Sequence, residues 1–177
     1  MDKRTMGALL LAFALAATLL IYAIVTKSDA EALITSYGYL GIALVMFLSS
    51  ATVILPAPGL AVVFAAGRFL NPVLVGLFAG TGAALGELTG YFMGYGGRQA
   101  LDGNDNARKI QGLVERYGFF AILVLAAIPN PVFDIVGIAA GGLRYDIRKF
   151  LLAALMGNVI KATYIALLGE AAFGWLF

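Results

Sequence analysis

Apolar residues fall in long blocks separated by short polar breaks, and the length of each block decides what it can be. Residues 6–25 carry no charge and, at about 20 residues, are long enough to cross a hydrocarbon core. Lys3 and Arg4 in front of this run would also suit a signal peptide. However, the run is long for one and Thr26-Lys27-Ser28 is a poor cleavage site, so an uncleaved anchor over residues 1–29 is expected. Residues 30–36 read as a short polar connector. Residues 37–55 are apolar again and lead into Pro56-Ala57-Pro58-Gly59, after which residues 60–70 are too few to span. Asn71-Pro72 predicts a helix start, with Asn at the cap and Pro in the first turn. The helix it opens runs to about residue 97. Gly82, Gly86, Gly90 and Gly94 recur along it at four-residue spacing, a face on which membrane helices can approach closely. Residues 96–116 form the extended polar segment, with a turn at 102–106 and an amphipathic helix at the membrane interface over 107–117. Residues 119–128 and 132–143 are each too short to cross. Residues 147–168 are long enough, and 169–177 close the chain.

Both short-arm regions are broken by prolines, which forbid a regular helix. LPAPGLAVVFAAG (residues 55–67) and IPNPVFDIVGIAAGG (residues 128–142) share apolar-Pro-x-Pro, an apolar arm and Ala-Ala-Gly. At an offset of 74 residues, Gly67 falls on Gly141 and Glu87 on Lys161. The pattern predicts two re-entrant hairpins, at about 48–70 and 119–143, with Pro56, Pro58, Gly67, Pro129, Pro131 and Gly141 shaping them. Unpaired backbone at membrane depth survives only where protein or water satisfies it, so the breaks should border a polar cavity. Chance similarity between two apolar strings is the weaker explanation.

Composition agrees with burial in lipid: 62% of residues are apolar and 12% charged, and mean hydropathy is +0.93, outside the range of soluble domains. The chain has room for one membrane domain, at residues 30–177, after the anchor. With Lys3 and Arg4 in the cytoplasm and each broken pair returning to its own side, nine basic residues fall inside and only Lys27 and Arg68 outside. Lys161 lies within a helix. The hairpins then face each other from opposite sides, an inverted repeat of the kind that places transport sites near the midplane. The fold expected is an all-α integral membrane protein with transmembrane helices and two oppositely oriented re-entrant helical hairpins. Its expected location is a prokaryotic plasma membrane, N-terminus cytoplasmic.

Three charged residues fall inside predicted membrane segments: Glu87, Asp134 and Lys161. Each costs at least ~2.5 kcal/mol at a helix centre, so each should face a partner or a wet cavity. Asp134 follows the second proline turn, beside Asn130, where freed amides can stabilise a carboxylate. Lys161 stands near Asn158 and Tyr164 at three-residue spacing. Two readings stay open: a structural ion pair of Lys161 with Glu87 or Asp134, and a polar path for a lipid headgroup or proton through Glu87, Asn130, Asp134, Asn158 and Lys161. The chain has no histidine or cysteine, which removes the common metal ligands and general base. Residues 102–106 (DGNDN) lack the distal Glu of a calcium loop. No enzyme, cofactor or metal site is expected.

The string Ala127-Ile-Pro-Asn-Pro-Val-Phe-Asp134-Ile-Val-Gly137 followed by Ala-Ala-Gly resembles the hairpin signature of the DedA/VTT superfamily (SNARE-associated Golgi protein family), in its vacuole membrane protein branch. Gly86-Glu87 followed by Tyr91 and Gly94 is similar to the superfamily's Gly-acid…Tyr…Gly helix, and the likeness covers about residues 37–169. The resemblance implies facing re-entrant hairpins and movement of phospholipids between leaflets, with Glu87 as the intramembrane acid. Bacterial DedA proteins usually carry an acid beside the first turn and an arginine after the second. This chain has Ser50, Thr52 and Ala57 at the first and Asn130 and Val132 at the second. Tyr95 stands where many have arginine. These departures favour a scramblase or flippase over a proton-linked carrier of undecaprenyl phosphate, small solutes or ions. The partners expected are membrane phospholipids, protons under the alternative reading and no nucleic acid, with a homo-oligomer left open.

Overall fold

Residues 28–51, 59–96, 105–129 and 133–176 are described in a computed structural model of the chain. The anchor expected over 1–29 lies outside them except for its last two residues. Pro56, Pro58, Asn130, Pro131, the start of the 102–106 turn and the side chain of Asp134 also lie outside.

The described residues form helices and turns, with no strand among them. In chain order the helices are α1 (Ser28–Ala51), α2 (Gly59–Ala66), α3 (Pro72–Gly86), α4 (Leu88–Gly96), α5 (Asp105–Tyr117), α6 (Phe119–Ala127), α7 (Phe133–Gly142) and α8 (Ile147–Leu176). Two stretches are long and apolar enough to cross a membrane: Pro72–Gly96, which is α3 and α4 together, and Ile147–Ala172 within α8. Arms α2, α6 and α7 have 8, 9 and 10 residues, about 12–15 Å of helix at 1.5 Å per residue.

Two expectations are corrected. The polar connector at 30–36 is helical and belongs to α1, because Ala30, Glu31, Ala32 and Leu33 are good helix formers. The break comes later, at Gly38, whose left-handed φ of 48° and ψ of −141° bend the helix. The last helix, α8, also runs on to Leu176 where an end near 168 was expected, whereas the helix expected from Pro72 is found over Pro72–Gly96, with Glu87 at the junction of α3 and α4.

The long helices start where expected. Asn71 Oδ1 accepts from the amides of Val73 (3.0 Å) and Leu74 (3.3 Å), satisfying donors that the first turn leaves unpaired. Asp146 Oδ1 does the same for Arg148 and Lys149 at the start of α8, both at 3.0 Å. The exposed Asp146 carboxyl is held below its ordinary pKa, first by the Lys149 amide hydrogen bond, then by that of Arg148 and by the charges of both residues.

Glycine sets the helix spacing. A Cβ on Gly82 would run into the Ala43 carbonyl oxygen of α1, and one on Gly157 would strike Leu123 and Ala126 of α6. Gly67, just past α2, meets the Ala166 carbonyl of α8, and Gly141 of α7 meets that of Tyr91 in α4. Gly94 of α4 abuts Ile138 of α7, and Gly169 of α8 abuts Phe64 of α2. Gly76 and Gly80 leave the other side of α3 open to Thr163 and Val159 of α8. The core accordingly has two parts. One gathers Tyr91, Ile122, Val136 and Phe150; the other gathers Ile42, Val63, Val75 and Ala166.

Candidate functional site

The packing of α3 against α8 brings together the three buried polar or charged side chains among the described residues. Glu87 is 7% exposed, Lys161 8% and Asn158 0%. Glu87 sits at the α3–α4 junction, where its amide donates to Ala83 O (3.0 Å) and its carbonyl accepts from Tyr91 N (3.1 Å). The main chain therefore continues through the junction, with Glu87 itself in the right-handed helical region (φ −66°, ψ −16°). Thr89 Oγ1 lies 2.8 Å from Gly86 O and 3.1 Å from Ala51 O. Its hydroxyl thus links this junction to the end of α1.

Asn158 Nδ2 donates to Glu87 Oε1 at 2.8 Å and to Ala154 O at 2.9 Å. A bond from a neutral amide to a buried carboxyl orients both groups, and its strength rises as water is excluded. Asn158 Oδ1 is buried and has no hydrogen-bond partner among the described residues. Lys161 follows three residues along α8, next to Asn158 on the helix surface. Three residues further, the Tyr164 hydroxyl donates to Ala127 O at 3.0 Å, at the last residue of α6 and two residues before Pro129. Asn158, Lys161 and Tyr164 thus follow one another at three-residue spacing along α8, between the Glu87 bond and the bond to Ala127.

The expected site residues divide clearly. Glu87, Asn158 and Lys161 share one buried region. Gly67 and Gly141 occupy close contacts between helices, and Pro129 is exposed just beyond α6. Asp134 lies in α7, in its first turn. Sequence reasoning missed Thr89, which has no signal beyond its place on the glycine-rich helix. Tyr91 was marked only by the family likeness; its hydroxyl donates to Tyr145 O and ties α4 to the turn before α8. Also missed were Tyr37-Gly38 and Tyr117-Gly118, a repeated dipeptide that an offset of 80 residues would have found. Both glycines have φ of 48°. No group of three or more acidic, His or Cys residues suited to a metal occurs among the described residues.

Two apolar helices long enough to cross a membrane, packed around a buried acid, amide and amine, are the pattern of an all-helical membrane protein. The VTT domain family matches residues 55–171, and the chain belongs to that family. Vacuole membrane protein KMS2 of Arabidopsis thaliana is 33% identical over 127 residues, covering 58% of this chain and 30% of that protein. Vacuole membrane protein 1 of Bos taurus is 33% identical over 109 residues, covering 49% and 27%. The homologue in Dictyostelium discoideum is 30% identical over 115 residues, covering 50% and 28%. The chain thus matches less than a third of the length of these curated relatives. No solved structure matches it.

Proposed function

We propose that the chain is a phospholipid scramblase or flippase-like transporter, in which two re-entrant hairpins related as an inverted repeat border a polar path for headgroups. The observation that carries this reading is the buried group of Glu87, Asn158 and Lys161 between the two long apolar helices. Ionisable residues at membrane depth are expensive, and their usual place is a substrate or ion pathway. Glu87, Asn158 and Lys161 lower the cost of passing a zwitterionic or anionic headgroup while the acyl chains stay in lipid. Asn130 and Asp134 are assigned to the same path by their place in the sequence at the second proline turn.

The glycine contacts support the repeat. Gly67 against Ala166 corresponds to Gly141 against Tyr91, Gly94 against Ile138 to Gly169 against Phe64, and Gly82 against Ala43 to Gly157 against Leu123. Corresponding positions differ by 74, 75 or 80 residues, and in the first two correspondences a short arm of one half rests on the long helix of the other. The proposed setting is a prokaryotic plasma membrane with the N-terminus cytoplasmic. The chain works there without enzymatic chemistry, either alone or as a homo-oligomer.

The buried Glu87 carboxyl favours a second reading, proton-linked transport of a solute, an ion or a lipid carrier. Reconstitution in liposomes with a fluorescent phospholipid separates the two. Scrambling predicts that dithionite bleaches more than the outer-leaflet fraction, without any pH gradient. Bleaching equal to that of empty vesicles rejects it. Proton-linked transport instead predicts gradient-dependent uptake that Glu87→Gln abolishes.

A further inference from the structure

Between α5 and α6 lies a groove of about 310 Å³ lined by Leu113, Tyr117, Phe120, Ala121, Val124 and Leu125, with no polar surface. It is distant in sequence from the buried polar group and plays no part in the path proposed above. α5 is amphipathic: Ile110 and Val114 are buried, while Lys109, Glu115 and Arg116 are exposed. Leu113 and Tyr117, one turn apart, make a second apolar stripe that is not buried against the other described residues; they are 42% and 52% exposed. Across the Gly118 bend, Phe120 and Val124 continue that surface at 71% and 52% exposed. The left-handed backbone of Gly118 splays the two helices and so opens the groove.

Charge identifies the occupant. The Arg116 guanidinium stands over the ring of the groove-lining Tyr117, 5.3 Å from its centre. The Tyr145 hydroxyl lies beside Gly118, so this corner shares one end of the bundle with Arg144, Arg148 and Lys149, all exposed. An amphipathic helix with basic residues on its polar face, ending in an aromatic residue, is suited to lie at headgroup level. Clustered basic residues at that level select anionic lipid. The other half of the chain repeats the surface: Tyr37, Leu40 and Leu44 are exposed around the Gly38 bend, where Ser36 stands in sequence in place of Arg116. The apolar face thus recurs without the cation.

We propose that the α5–α6 groove binds an anionic phospholipid, one acyl chain lying along Leu113, Tyr117, Phe120 and Val124 and the phosphate meeting Arg116. The site requires only that the protein sit in a membrane, and it holds a resident lipid whether or not the protein moves lipid elsewhere.

The test uses the full chain in phosphatidylcholine vesicles doped with phosphatidylglycerol that bears a diazirine on one acyl chain, with adducts mapped by mass spectrometry after illumination. Adducts concentrate on residues 113–124, and the phosphatidylcholine version of the probe labels them less. Arg116→Gln, a surface change that leaves the core intact, lowers phosphatidylglycerol labelling there about fivefold, the effect of one basic residue beside an anionic headgroup. Ala121→Phe fills the groove and removes the adducts for both lipids. Equal labelling of the groove and of the exposed Leu77 and Leu85 on α3 would overturn the proposal in favour of bulk lipid contact. Labelling indifferent to headgroup and to Arg116→Gln would also overturn it. Spontaneous disulfide dimers of Val124→Cys, the only cysteine in that variant, would show a second copy in the groove instead.

Discussion

The bond between Asn158 and Glu87 can be measured as a coupling energy. Asn158→Leu keeps the branched outline of a fully buried side chain, at a larger volume, but removes the Nδ2 donor that stands 2.8 Å from Glu87 Oε1. It also removes an Oδ1 that has no partner among the described residues, so the single substitution mixes a loss with a gain and is uninformative alone. A double-mutant cycle with Glu87→Leu isolates the pair. Hydrogen bonds between membrane helices average ~0.6 kcal/mol in such cycles and reach ~1.7. A carboxylate acceptor in a soluble protein gives ~1.5–3 kcal/mol. Both groups here are buried and the contact is short, so the expected coupling is ~1–2 kcal/mol, above the membrane average. Glu87→Gln, which keeps an acceptor oxygen, should lose less stability than Glu87→Leu. The assay is equilibrium unfolding of purified protein in mixed micelles, followed by helical circular dichroism as denaturing detergent increases. Additivity within ~0.5 kcal/mol, the usual result for independent sites, would refute the claim that these two groups act as a unit.

Gly112 lies in α5 with open space where a Cβ would go, so Gly112→Ala should stabilise the protein by up to ~1 kcal/mol in the same unfolding assay through helix propensity alone. Gly38 and Gly118 share a φ of 48°, and Ala at either should cost ~1–2 kcal/mol; Gly118→Ala is the worse of the two because its Cβ also meets the Tyr145 hydroxyl at 3.1 Å. The lowered pKa of Asp146 means that its cap contributes fully above the ordinary carboxylate pKa and is lost as pH falls through the lowered folded value. Thermal melts from neutral to acid pH should therefore show an acid-side loss that Asp146→Asn, which keeps an acceptor for the Arg148 and Lys149 amides, reduces. Gly86→Ala and Gly157→Ala should each lower the Glu87–Asn158 coupling when the cycle is repeated in those backgrounds; unchanged coupling would show that helix spacing does not set that contact.

The element lengths were legible because lipid imposes them. Proline pairs and runs too short to span marked α6 and α7 to within one residue, while α2 ends at Ala66, four residues short of the run expected to 70, and Asn71 capped its helix as its side-chain chemistry requires. The kinks were hidden. Gly38 and Gly118 sit among many glycines, and nothing local separates a glycine kept for its φ from one kept for close approach, as Gly82 is. At the site, charge in an apolar block singled out Glu87 and Lys161. Asn158 was only a neighbour by spacing, because which residue of α8 meets Glu87 depends on the rotation of one helix against another. That rotation is a tertiary quantity.

What fixes the rotation is glycine placed one residue before each partner. Gly86 precedes Glu87, and a Cβ there would run into Phe47 O of α1. Gly157 precedes Asn158, and a Cβ there would strike Leu123 and Ala126 of α6. Successive residues on a helix point about 100° apart, so seating each glycine against its own first arm turns the next side chain away from that arm. Gly76 and Gly80, which admit Thr163 and Val159, complete the arrangement by letting α3 and α8 approach on the side to which those side chains turn. Apolar side chains gain nothing from meeting each other in lipid, so the force available is close packing of backbones. The same packing excludes water from the Glu87–Asn158 bond. Helix spacing and the polarity of the site therefore have a common cause, and a substitution that loosens a glycine contact in α1 or α6 should be felt at a carboxylate it never touches.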